Sequence, residues 1–205
     1  MRFRSILCPV DFSPPSRVAL QVASGLGRRF GSHVTTLFVN DPLLLAAANR
    51  TYGSRRFADR TKTELARFVK RAASTKSDDV ELVMSAGDPA EEILHQAKRA
   101  RAGLLVMGSH GLSGIPKALF GSTTEQVLRR INVPVLAIPP AFGSRTAKDF
   151  PAHVTNVIAP IDLTGEWQSD AVRASTIARQ LNAHLTLVHV LAPVQSPPWL
   201  GSVSR

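Results

Sequence analysis

The sequence predicts an α/β fold, with a five-stranded parallel sheet, helices on both of its faces, and an incomplete βαβ repeat after it. Short β-branched runs alternate with longer amphipathic segments over the first 140 residues, which is the pattern of βαβ units. The first strand-helix-strand pattern then begins again near the end of the chain. A length of 205 residues allows one well-buried domain and a smaller part.

The five predicted strands are short apolar runs bounded by turn residues. The fourth run has Leu104, Leu105 and Val106 at its centre, as expected for a strand that is buried on both faces. The predicted strands cover residues 6–10, 34–39, 80–85, 103–107 and 134–138.

Helices are predicted between these strands, and two of them have clear end signals. Ser13 or Ser16 is suited to cap the first helix, and Gly31 follows it where a left-handed C-cap is favoured. Asp88 is suited to cap the third helix. Residues 42–53 break the pattern and are predicted to be a loop. The helices are predicted to end near residues 30, 74, 101 and 131.

An internal repeat sets the predicted domain boundaries. Residues 157–164 repeat residues 6–13 at a constant offset of 151. The first domain is therefore assigned to residues 1–140, a linker to 141–153, and a truncated second repeat with a tail to 154–205. A lone βαβ unit cannot cover both faces of its sheet. We expect it to dock on the first domain or on another chain, or to remain loosely ordered.

The composition predicts a protein that folds in water in a reducing compartment. The longest apolar run, residues 43–48, is far shorter than the roughly 20 residues that cross a bilayer, and the polar start lacks a secretory signal. A cytoplasmic location and no membrane partner are therefore expected. The single cysteine, Cys8, excludes an intramolecular disulfide and a multi-cysteine metal site, and no metal ligands are assigned. Its apolar surroundings predict a packed thiol.

The net charge of +10 is compatible with attraction to nucleic acid or an anionic surface, and also with solubility alone. The basic residues are dispersed along the predicted helices without interleaved aromatic residues. No known DNA-binding or RNA-binding signature is present. Nucleic acid is therefore not expected as a partner.

The segment from Met107 to Thr124 has glycines where phosphate binding would need them. Gly108 and Gly111 follow the fourth strand, at the edge where open α/β sheets bind ligands, and glycine lets a phosphate approach the backbone closely. Gly121 and Ser122 then open a helix whose free N–H groups suit an anion. Each feature alone is explained by a turn or a helix cap, but the joint G-x2-G-x9-G-S pattern favours phosphate binding. It is neither a Walker A loop nor a G-x-G-x-x-G motif.

This glycine pattern, together with the P-V-D-x-S segment at residues 9–13, resembles the ATP-binding branch of the universal stress protein family. The resemblance covers about residues 3–140 as a complete domain and 154–193 as the start of a second. It implies a Rossmann-like sheet of strand order 3-2-1-4-5, with ATP over the carboxyl ends of strands one and four. It also implies a homodimer through the fifth strand.

The resemblance assigns a set of residues to ATP, and Mg²⁺ would be held mainly through the phosphates. Two alternatives stay open, because Asp11 could cap the first helix and His110 could point to solvent. The residues assigned to adenine and ribose are Pro9, Val10, Asp11 and Val39. Those assigned to ribose and phosphates are Gly108, His110 and Gly111, and those assigned to the β- and γ-phosphates are Gly121, Ser122 and Thr123.

Three functions fit these observations. The first is an ATP-binding regulator that acts through conformation or dimerisation on an unidentified protein partner. The second is a slow ATP hydrolase, which would need an oriented water and charge neutralisation, and for which no catalytic residue is assigned. The third is an interaction module without nucleotide, against which the intact glycine series argues. The second repeat ends before any glycine loop, so one ATP per chain is expected.

Overall fold

The structure is a computed structural model, and it divides the chain into two compact units, Arg2–His153 and Val154–Arg205. The described residues are 3–43, 45–47, 54–73, 80–110, 120–143, 147, 150, 154–163 and 165–191. Among them, no helix has the length and apolar composition that crossing a membrane requires.

The first unit is a parallel sheet with helices on both faces. Its strands are β1 (Ser5–Val10), β2 (His33–Asn40), β3 (Val80–Ala86), β4 (Leu104–Gly108) and β5 (Val135–Ile138). Its helices are α1 (Pro14–Phe30), α2 (Ser54–Ala73), α3 (Pro89–Arg99) and α4 (Ser122–Leu128). All strand pairs are parallel and the order is β3-β2-β1-β4-β5, which confirms the predicted fold class and strand order.

The two faces of the sheet have separate cores, because side chains alternate along each strand. Ile6 and Cys8 of β1 are fully buried in the core that α1 and α2 cover. Leu7 is fully buried in the core on the α3 and α4 side. Burial raises the pKa of the Cys8 thiol, because the thiolate would lose its hydration. Cys8 is therefore the packed thiol that its surroundings predicted.

The helix ends follow the local signals in the sequence. Ser13 is the N-cap of α1, and its hydroxyl accepts a hydrogen bond from the Ser16 N–H at 3.2 Å. Gly31 closes α1 with a φ of 64°, in the left-handed region. Asp88 caps α3 and accepts from the Glu91 N–H at 3.0 Å. Of the two candidate caps for the first helix, Ser13 is therefore the correct one.

The loop predicted at residues 42–53 is partly wrong, because residues 42–43 and 45–47 are helical. Asp41 supplies the physical reason. Its carboxylate accepts from the Leu43 N–H at 2.7 Å, and its carbonyl accepts from the Leu45 N–H at 2.9 Å. An aspartate therefore begins a helical turn that lacks a clear hydrophobic period.

The segment after β5 contributes to the core of the first unit. Phe142 and Phe150 meet edge to face with ring centroids 6.1 Å apart, and Ala147 is fully buried. The Phe150 carbonyl oxygen lies 2.5 Å from the place where a Cβ at Gly25 of α1 would stand. The residues predicted as a linker thus include side chains that pack on α1 and its neighbours.

The second unit is a small βαβ arrangement. Its elements are β6 (Asn156–Pro160), α5 (Trp167–Leu181) and β7 (His184–Val188), and its two strands are parallel. Asn182 closes α5 with a φ of 55°. On the sheet face opposite α5, Ile158 is 70% exposed. The interpretation of this unit as a truncated repeat stays a prediction.

Candidate functional site

The candidate site lies at the carboxyl edge of the sheet, where β1 and β4 are neighbours. β1 pairs with β4 through Ile6–Leu104 and Leu7–Leu105. Each strand then continues for three residues, to Val10 and Gly108. The chain leaves β1 and β4 towards opposite halves of the sheet, and such a switch point is where open α/β sheets bind ligands.

Two hydrogen bonds join the start of α4 to the end of β4. The Thr124 hydroxyl donates to the Gly108 carbonyl at 3.0 Å, and this contact is buried. The Gly121 N–H donates to the Ser109 carbonyl at 2.8 Å. The structure therefore brings together both ends of the predicted phosphate segment. Gly111 lies outside the described residues, so its role stays a prediction.

The first turn of α4 has no side-chain cap. Its N-cap is Gly121, which has no side chain to accept from the free N–H groups, whereas Ser13 and Asp88 cap α1 and α3. Ser122 is exposed and Thr123 half-buried, so their hydroxyls add further donors. α4 has only seven residues, and what it offers an anion is therefore local N–H and O–H groups more than a long helix dipole.

Asp11 orders the turn that connects β1 to α1. Its Oδ1 accepts from the Ser13 N–H at 3.0 Å and also from the Ser13 hydroxyl. The Asp11 N–H donates to the Ser16 hydroxyl at 3.3 Å. Asp11 is therefore not the N-cap of α1, which was one of its two predicted roles. It supports Ser13, which is the N-cap. Phe12, next in the chain, has a φ of 64°.

The other residues assigned to adenine and ribose lie at the same edge. β1 and β2 pair Val10 with Phe38, so Val39 stands one residue further, level with Asp11. Val39 is half-buried and packs on the α3 side of the core. Pro9 is buried in β1. The backbone thus places the candidates from β1 between Val39 of β2 and the candidates that follow β4, at one edge of the sheet.

His110 is half-buried beside the end of β4. Its Nδ1 lies 3.0 Å from the hydroxyl of Ser109, which is itself buried. The Ser109 N–H donates to the Ile138 carbonyl of β5 at 2.8 Å. The imidazole is therefore held by a side chain that the sheet positions. Among the described residues, no group of three side chains could hold a metal ion.

Two residues that support the site were missed by the sequence analysis. Pro15 of α1 packs on Gly108, and a Cβ at Gly108 would stand 3.1 Å from both the Pro15 Cβ and the His110 carbonyl oxygen. Thr124 follows the predicted phosphate residues, and only its position in the first turn of a helix could have indicated a structural role. The glycine at 108 therefore avoids a tight contact that any other residue would make there, in addition to allowing a ligand to approach.

Sequence and structure comparisons agree with this geometry. The profile described as "Universal stress protein family" matches residues 2–139. Universal stress protein YxiE of Bacillus subtilis is 28% identical over 146 residues, covering 66% of this chain and 99% of that protein. Universal stress protein MJ0577 of Methanocaldococcus jannaschii is 28% identical over 153 residues, covering 66% of this chain and 94% of that protein.

The solved structure of MJ0577 has a TM-score of 0.60 to this chain at 25% identity, covering 70% of this chain and all of that one. A universal stress protein from Archaeoglobus fulgidus has a TM-score of 0.66 at 23% identity, covering 94% of this chain and 69% of that one. The second likeness shows the fold alone. Because the family profile spans a complete five-stranded domain with the glycine segment at its switch point, the chain belongs to the universal stress protein family.

Proposed function

We propose that this protein binds one ATP at the carboxyl edge between β1 and β4 and that occupancy regulates its conformation or assembly. The observation that carries the proposal is the joining of α4 to β4 by the Gly121–Ser109 and Thr124–Gly108 hydrogen bonds. It sets an uncapped helix turn beside the glycine end of a central strand.

The donor set suits a chain of phosphates. The first-turn N–H groups of α4 and the hydroxyls of Ser122 and Thr123 would donate to the β- and γ-phosphate oxygens. Gly108, His110 and Gly111 would lie along the ribose and the phosphate nearer to it. Mg²⁺ would enter with the phosphates.

The base and sugar would lie over β1 and β2. Val39 would offer apolar surface to adenine, whereas Val10 would line the site through its backbone, because its side chain is buried on the opposite face of the sheet. The Asp11 carboxylate would be an acceptor for sugar or base donors. Pro9 would shape the strand beneath them. Because Asp11 Oδ1 already accepts from Ser13, ligand contact and the α1 cap would be coupled through one side chain.

A thermal denaturation series with and without Mg·ATP tests the proposal. At ATP concentrations near 100 times the dissociation constant, binding adds about 2.7 kcal/mol to the free energy of unfolding. For a domain of this size that raises the Tm by about 5–10 °C. An unchanged Tm at millimolar ATP would favour the interaction module that does not bind nucleotide.

The variant Gly121→Asp separates loss of binding from loss of folding. Gly121 has φ −69° and ψ 158°, which any residue adopts, and aspartate is a preferred N-cap. The variant should therefore fold with an unchanged or higher Tm and lose the ATP-induced shift, because its carboxylate competes for the same N–H groups and repels phosphate. Gly121→Asn is the matched control, since it adds the cap without the charge and should keep a smaller shift.

Turnover and assembly have their own readouts. A phosphate-release rate equal to that of buffer would indicate that the site holds ATP without hydrolysing it, and a rate that rises with protein concentration would favour the slow hydrolase.

β5 is an edge strand, as a homodimer through it requires. Native mass spectrometry should give a dimer with ATP, and a monomer under all conditions would contradict it. A cytoplasmic location and an unidentified regulatory partner complete the proposal.

A further inference from the structure

Helix α2 carries a stripe of exposed basic side chains, which we call the α2 stripe and define as Arg56, Arg60, Arg67, Lys70 and Arg71. At about 100° per residue these positions fall within an arc about 100° wide, and at 1.5 Å per residue they extend over about 22 Å. Dispersed in the sequence, they come to one face only because residues 54–73 form a single helix.

The opposite face of α2 is already used. Leu65, Phe68 and Val69 are buried in the core that this helix shares with α1 and β1. The orientation of α2 is therefore fixed by packing, and the α2 stripe faces solvent. The stripe itself includes no apolar side chain that could insert into a lipid bilayer, as interfacial helices do.

The α2 stripe carries unfavourable interactions that an ordinary solvated face avoids. Arg56 and Arg60 are an i,i+4 pair of like charge, and so are Arg67 and Arg71, and each such pair destabilises a helix. The first turn of α2 has no acidic residue although it includes Arg56, which opposes the helix dipole. Within the described part of the chain, the ion pair on this stripe is Glu64–Arg67 at 2.6 Å, and it is exposed.

Surface charges on neighbouring helices are arranged differently. In α3 the first turn has Glu91 and Glu92 and the last turn has basic residues, as the dipole favours. In α4, Glu125 pairs with Arg129 at i,i+4, with 2.6 Å between Oε1 and Nη2. The like-charge i,i+4 pairs are therefore a feature of α2 among these helices, whereas a first turn without acidic residues also occurs in α1, and the basic last turn of α2 suits the dipole.

The charge of the chain is concentrated on the same unit. Residues 1–153 include 22 basic and 12 acidic side chains, whereas residues 154–205 include three of each. The first unit thus carries the whole net charge of +10. A polyanion approaching the chain is attracted to this unit, and the α2 stripe is the place where binding would relieve like-charge repulsion.

We propose that the α2 stripe binds the phosphodiester backbone of nucleic acid without reading its sequence. Four of its five members are arginines, whose planar guanidinium groups bind phosphate oxygens in pairs. A line of cations about 22 Å long follows a strand of regularly spaced phosphates. The stripe has no aromatic side chain for base stacking, so contacts are limited to the backbone. The proposal is independent of the ATP site.

Fluorescence anisotropy with labelled nucleic acid tests this, using the full chain, two unrelated 20-base-pair DNA duplexes and a 20-nucleotide RNA. Four stripe cations have no carboxylate partner among the described residues, so raising the salt from 50 to 200 mM should weaken duplex binding about 150-fold, equally for both DNA sequences. In Arg56→Gln/Arg60→Gln/Arg71→Gln, the same change should weaken it only about 4-fold. Glutamine is a good helix former and the substitutions remove both like-charge i,i+4 pairs, so this variant should fold with an unchanged or slightly higher Tm.

The matched control removes three positive charges elsewhere in the first unit, in Lys98→Gln/Arg99→Gln/Arg101→Gln. It should keep the wild-type salt dependence. An equal loss in both triple variants would assign the binding to net charge and overturn the proposal. So would the absence of salt-dependent binding in the wild-type chain. Stripe-dependent binding to phosphatidylserine vesicles without binding to either nucleic acid would also overturn it.

Discussion

Replacing Thr124 by valine tests the hydrogen bond that fixes α4 to the end of β4. Thr124 is 3% exposed and its hydroxyl donates to the Gly108 carbonyl at 3.0 Å. Valine has nearly the same shape and a similar helix propensity, so the change removes the donor and leaves a buried carbonyl without it. An unsatisfied buried acceptor costs about 1–3 kcal/mol.

A matched control exists in the same domain. Thr36 of β2 is fully buried, and its hydroxyl has no hydrogen-bond partner among the described residues. Thr36→Val therefore removes an unsatisfied polar atom and adds an apolar group, which should leave stability unchanged or raise it. The same chemical substitution is thus expected to have opposite effects at two buried positions.

Chemical and thermal denaturation measure both variants. For a domain of about 150 residues, 1 kcal/mol corresponds to about 2–4 °C in Tm, so Thr124→Val should lower the Tm by about 2–12 °C. Its ATP-induced shift should also be smaller than that of the wild type, because the first turn of α4 loses its anchor. If Thr124→Val and Thr36→Val change stability in the same direction by similar amounts, the assigned role of the Thr124 hydroxyl is refuted.

Two further predictions concern positions away from the site. Gly25→Ala would place a Cβ 2.5 Å from the Phe150 carbonyl oxygen. We therefore expect the free energy of unfolding to fall by about 1–3 kcal/mol and proteolysis after β5 to be faster. A wild-type digestion pattern would contradict the contact. Hydrogen bonds from His33 and Thr35 lower the pKa of Glu81 from 4.5, so its stabilisation is present above that pH and is lost as the pH falls. Urea titrations should show Glu81→Gln less stable by about 0.2–1 kcal/mol at pH 7. The difference should shrink as the pH falls below 4.5, whereas a constant difference would contradict the linkage.

The helix caps and strand positions could be predicted because they depend on interactions within a few residues. Ser13 and Gly31 bound α1 through a side-chain cap and a left-handed residue, which are local chemistry. The helical turn after Asp41 was missed, since its short apolar segment carries no period and only one capping carboxylate specifies it. The strand order came from family resemblance, because the sequence pattern alone does not specify which strands become neighbours.

The sequence by itself determined the α/β class and the glycine spacing from Gly108 to Gly121. Only the tertiary structure decided that Thr124 and Pro15 meet Gly108, and that Leu65, Phe68 and Val69 bury the opposite face of α2 and leave its basic side to solvent. Periodicity and capping act over a turn of helix or a few residues of strand, and a sequence displays them directly. Contacts between residues far apart in the chain depend on how the helices pack on the sheet, which the folded core alone establishes.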